Sequence, residues 1–260
     1  MPGRRTVLRA AAACVVAPFA TACHQILGPS SYDANWQVFD RGRFTFYARP
    51  SSFAAQSVDP LFIVLDDQYD ATVAMLAVHY AAQISMYLYA DPKDADFEAN
   101  LSGVAYPDTL TVRATCLPPL DANLMSLLSH EMNHVITRNT LGQSSTAFMT
   151  EGIASAVITE RYHSNGRHFY YPWTASHLSQ LPPIASLLDD DFWNGISSQL
   201  AYNTSASFLA WLIDTRGPAP LKQVFTVRSS EAVERMQSVY AQPVTGLESE
   251  WKAFCVVFTG

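Results

Sequence analysis

Apolar and polar positions alternate along "GRFTFYARP" (42–50), where Phe44, Phe46 and Ala48 are set against Arg43, Thr45 and Tyr47. A period of two predicts a strand with one buried face. The same alternation returns in "QISMYLYAD" (83–91) and in "DTLTVRAT" (108–115). Between the first two of these segments the period lengthens. Leu61, Leu65, Tyr69, Val73, Leu76 and Tyr80 follow at helical spacing, with Asp59 placed as N-cap and Pro60 at the first helical position. The amino-terminal part therefore reads as strand, helix, strand, strand.

Beyond residue 120 helical spacing dominates. Asp121 can cap a helix whose apolar positions are Leu124, Leu128, Met132, Val135 and Ile136, and Gly142 is placed to end it. A second helix is predicted over 148–160 and a third over 200–215, stopped by Gly217 and Pro218. "SSEAVERMQSVY" suggests a further short helix, and the pair Thr245 and Glu248 reads as a capping box ahead of Leu247, Trp251, Phe254 and Phe258. Residues 161–195, rich in aromatic residues and proline, read as a connection. The expected architecture is α+β: a small strand-rich lobe at about 36–120 and a mainly helical lobe at 121–260, built as one domain.

The helix after Asp121 contains "LLSHEMNHVITRN" (127–139). His130 and His134 lie one helical turn apart on one face, so both imidazoles can reach a single point, and Glu131 is rotated to the edge of that face. This is the geometry of a metal site with a base beside it. A catalytic zinc site typically takes three protein ligands and keeps a position for water. Glu151, 17 residues after His134, is placed for a second helix to bring back against the first; Glu160 is the weaker substitute. Its neighbour Gly152 would let helices approach closely there.

Composition changes this picture in two ways. The first 22 residues hold Arg4, Arg5 and Arg9 and no acid, followed by a short apolar stretch of small residues. That pattern reads as an export signal of twin-arginine type, with a lipoprotein-like processing site before Cys23. Removing it raises an acidic excess that already stands at 7 charges for the 260-residue chain. An acidic protein of this kind is a poor nucleic-acid partner, and any membrane attachment would run through lipid on Cys23. Cys14 leaves with the signal, so Cys116 and Cys255 remain and can pair in an oxidising compartment.

"LLSHEMNHVI", then "FMTEGIASAV", then "LAYNTSASFLAWLIDTRG" resemble the peptidase-MA-like gluzincins, distant relatives of thermolysin among exported proteins. "MYLYAD", "SGVAYPDTLTV" and "LESEWKAF" fit the earlier strands and the last helix of that family, so the resemblance covers nearly the whole mature chain. It implies a zincin-like fold and one Zn²⁺ per chain held by His130, His134 and Glu151. It also implies that Glu131 is the general base of a peptide hydrolysis, and that Tyr202 is the donor to the oxyanion. His163, His168 and His177 stand as alternatives to Tyr202. "SGVAYPDT" is expected at a sheet edge, where an extended peptide or protein substrate can bind through main-chain hydrogen bonds. Where thermolysin-like sites often carry a carboxylate one turn after the third ligand, this chain has Ser155, which leaves the support of the histidines unassigned. The competing expectation is a non-catalytic binding lipoprotein of the cell envelope on the same fold.

Overall fold

In the computed structural model, residues 35–94, 102–144, 146–159 and 167–258 are described; the segment expected to be an export signal, with Cys14, Cys23, Glu160 and His163, lies outside them. Five short strands form one sheet: β1 (Gln37–Arg41), β2 (Phe44–Ala48), β3 (Ile84–Tyr89), β4 (Gly103–Tyr106) and β5 (Thr111–Thr115), in the order β1-β2-β3-β5-β4. β3 runs parallel to both β2 and β5, whereas β1 and β4 close the two edges in antiparallel register. The alternation in the sequence sets the faces. Phe44, Phe46, Ala48, Ile84, Met86, Leu88, Val112 and Ala114 are all fully buried on one side. β1 carries no such alternation of buried residues, because it is an exposed edge strand, and the sequence pattern missed it.

After β2 come a single turn, α1 (Phe53–Gln56), and α2 (Val58–Met75). α2 starts one residue before the expected Asp59 cap and stops at Leu76, short of Tyr80. Tyr80 lies beyond the helix, yet its carbonyl accepts the Tyr69 hydroxyl. α3 (Ala122–Leu141) carries the H-E-x-x-H motif and is bounded as the sequence predicts, with Asp121 accepting from Asn123 N and Leu124 N and Gly142 at the other end. Its apolar residues Leu124, Leu128, Met132, Val135 and Ile136 share one core with the sheet and with Leu61, Leu65 and Tyr69 of α2. Burial of this stripe fixes which face of α3 is left for His130 and His134.

The remaining elements are α4 (Ala147–Ala156), α5 (Tyr170–Ser176), α6 (Ile184–Leu187), α7 (Asp190–Gly195), α8 (Ser198–Arg216), α9 (Pro218–Phe225), α10 (Ser229–Tyr240) and α11 (Val244–Phe258). They enclose a second core, centred on Phe148, Ile153, Tyr171, Phe208, Leu209, Trp211 and Trp251. The division between cores thus falls after α3, later in the chain than the compositional shift near residue 120. α4 is shorter than expected, ending at Ala156, and the described part of the 161–195 connection folds into three short helices. Pro218 does more than stop α8: Gly217 turns with φ +73°, and Pro218 opens α9, where a missing N–H has no consequence.

Two expectations are corrected. Cys116 and Cys255 are buried in different cores, one beside β5 and the other in α11, and no disulfide joins them. The Thr245–Glu248 capping box does not form, because α11 already begins at Val244. Glu248 instead accepts from Ile184 N at 3.0 Å and from Lys252 at 2.5 Å, fastening α6 to α11. No described helix is long and apolar enough to cross a membrane.

Candidate metal centre

α3 and α4 meet at the centre of the molecule, and a buried polar network fixes how they meet. Asn133, inside the H-E-x-x-H motif, donates to Ala154 O at 2.8 Å and accepts from Thr72 Oγ1 at 2.8 Å. Gln68 of α2 donates to Thr72 Oγ1 and Val157 O, and its carbonyl accepts from Thr159 N. Buried amides of this kind must be paired, so the network locks α2, α3 and the end of α4 in one register. The start of α4 is tied down separately, by the Thr146 hydroxyl and by Asp190, which accepts from Ala147 N at 2.7 Å.

This register brings the expected ligands together. His130 Nε2 lies 3.1 Å from Glu151 Oε2 and 2.9 Å from His134 Nε2, and His134 Nε2 lies 3.4 Å from the same carboxylate oxygen. The imidazole planes are nearly perpendicular, at 89°. Three acceptor atoms converge this closely only around a cation, a proton or a metal. A tetrahedral ion with bonds of about 2.0–2.1 Å requires ligand atoms about 3.3 Å apart, and the observed triangle has that size. His130, His134 and Glu151 are thus positioned to hold a metal ion. Their side chains stay 16, 12 and 17 % exposed, so the group is not sealed from solvent.

Charge follows the geometry. Burial pushes the Glu151 carboxyl up, but the charge of His134 and the hydrogen bonds of both histidines outweigh it and hold the group well below the usual carboxylate range. Glu131 goes the other way. Burial pushes it up to about 7, with the charge of Glu151 adding, while His130 and a hydrogen bond from the backbone of Ala105 on β4 oppose the rise. Glu131 therefore sits beside the ligands without joining them, close to the balance between accepting and releasing a proton. β4 can lie this close because Gly103 has no side chain: a Cβ there would stand 3.3 Å from Glu131 Cγ and 3.1 Å from Leu127 Cδ1.

Tyr202, the fifth residue of α8, places its ring centroid 6.3 Å from that of His130 and packs on Trp193 at 5.0 Å. The other described histidine candidates lie elsewhere. His168 stacks on Tyr171 and contacts Phe258, and His177 stacks on Trp173 and bonds its carbonyl. Gly152 does allow a close approach, but α8 is the partner rather than α3: a Cβ there would stand 2.8 Å from Ser205 Cβ. β4, the strand of "SGVAYPDT", is at the sheet edge as expected. Residue patterning missed the network of Asn133, Thr72 and Gln68. Its local signals are polar residues on buried helix faces, Asn133 on α3 and Gln68 and Thr72 on α2. No family model matches the chain, and no curated protein matches it.

Proposed function

We propose that this protein is an exported zinc metallopeptidase of zincin-like fold that hydrolyses peptide bonds in extended substrates. The observation that carries the reading is the triangle of His130 Nε2, His134 Nε2 and Glu151 Oε2, with the buried carboxylate of Glu131 next to it. Two imidazoles and one carboxylate make a donor set suited to Zn²⁺. Bound there, the ion would polarise the scissile carbonyl and make water available as a nucleophile near neutral pH.

The chain's own residues supply the rest. Glu131 takes the proton of the attacking water and passes it to the departing amine, a task that suits a carboxyl group whose pKa lies near the working pH. Tyr202, beside His130, offers its hydroxyl to the developing oxyanion. The outer edge of β4 accepts an extended peptide as an added strand, which sets the scissile bond alongside α3. The substrate is a peptide or protein met outside the cytoplasm, reached by the export signal and, through Cys23, by a lipid anchor.

Zinc content and cleavage of a broad peptide library, measured together, test this reading. The wild type is expected to hold about one zinc per chain and to lose cleavage on chelation. Glu131→Gln should stay zinc-loaded and lose cleavage, whereas Glu151→Gln should lose zinc, since a neutral amide is a poor ligand. A fully loaded wild type that cuts nothing would instead mark an envelope binding protein, and full activity in Glu131→Gln would remove its role as base.

A further inference from the structure

An imidazole that offers one nitrogen to a metal is aimed by whatever its other nitrogen touches. His130 turns Nε2 toward His134 and Glu151, so its Nδ1 carries the hydrogen and needs an acceptor. The acceptor is Ser155 Oγ, 3.1 Å away. Ser155 is buried on α4, one turn after Glu151. The phenol of Tyr170, the first residue of α5 and itself buried, interacts with the same hydroxyl.

We propose that Ser155 and Tyr170 are the positioning residues of the metal centre: an uncharged hydroxyl pair that holds His130 with Nε2 toward the ion. This rests on the metal-centre reading above. A serine oxygen that accepts from Nδ1–H must pass its own hydrogen on, and the Tyr170 oxygen receives it, so the bonds run from His130 to Ser155 to Tyr170. Both residues are buried, which makes each bond expensive to leave unmade. One helix, α4, therefore fixes two ligands at once: Glu151 directly, and His130 through Ser155. Because the pair is neutral, it adds no negative charge behind the imidazole, and the centre keeps more of its positive charge than a carboxylate at position 155 would leave it.

The test is zinc affinity by competition with a chromogenic chelator, together with the His130 Nδ1–H resonance in the zinc-loaded protein. Ser155→Ala should bind zinc about 10–100-fold more weakly and lose the protected Nδ1–H signal. Tyr170→Phe, which keeps the ring and leaves Ser155 without its acceptor, should show a smaller loss in the same direction. Ser155→Asp restores an acceptor and should bind zinc at least as tightly as the wild type with the signal regained, a rescue that a purely packing role for Ser155 would not give. Wild-type affinity with an intact signal in Ser155→Ala overturns the proposal and leaves the metal centre standing. If Ser155→Ala does not fold, wild-type affinity in Tyr170→Phe together with weakened binding in Ser155→Asp overturns it equally. A wild type that binds no zinc fails earlier, at the metal-centre reading itself.

Discussion

Asn133 shows how much one side chain contributes away from the chemistry. It pairs at both ends, to Ala154 O and to Thr72 Oγ1, and is fully buried. Asn133→Leu keeps the volume but strands both partners, so unfolding free energy should fall by about 1–3 kcal/mol, measured by urea denaturation of the metal-free protein. An unchanged midpoint would show that the network is not needed to hold α3 on α4. The cysteines give a second prediction at this scale. Burial pushes the Cys116 thiol up to about 12 and the Cys255 thiol up to about 11. Both stay protonated at pH 8, so neither should react with a thiol reagent in the folded protein, and both should be labelled after denaturation without reductant. If neither is labelled under those denaturing conditions, the two are bridged after all.

Among elements, the tightest junction is between α4 and α8. A Cβ on Gly152 would meet Ser205 Cβ at 2.8 Å, Leu209 Cδ1 at 2.9 Å and the Ser205 backbone at 3.2 Å. The last of these cannot rotate away, so the helices must part. Gly152→Ala should destabilise by about 1–3 kcal/mol, as overpacked cores do. α8 carries Tyr202 and α4 carries Glu151, so the same shift separates the proposed oxyanion donor from the ligands. Cleavage rate should then fall more than zinc affinity, because all three ligands lie on α3 and α4. Equal losses in both would mean that the displacement reaches the ligands instead.

For the whole molecule, the ligand group straddles the two cores. His130 and His134 belong to the helix packed on the sheet, and Glu151 belongs to the helix packed into the helical core. A bound ion would therefore join them, and its removal should loosen the whole fold rather than one loop. By mass action, free zinc at about 100 times its Kd adds roughly 2.7 kcal/mol. Calorimetry should show the melting temperature rising with zinc and falling on chelation, with no response in His134→Ala. A wild type whose melting temperature ignores both would show that the two cores are held by packing alone.

Features that depend on near neighbours along the chain are legible before it folds. The period of two in β2, β3 and β5 and the capped helix from Asp121 to Gly142 are local properties. So is the shared face of His130 and His134, which follows from 3.6 residues per turn. Glu151 was legible as a candidate because a loop of known reach leads back from Gly142. Other features rest on contacts between residues far apart in the chain. These include the order of the strands, the edge strand β1, and the burial of Cys116 and Cys255 in separate cores. They also include the preference of Glu248 for Ile184 over a cap, and the meeting of Ser155 with His130 and Tyr170. No periodicity encodes these contacts, because a side chain's partner across the core is chosen by how whole helices pack, and packing is a property of the assembled chain.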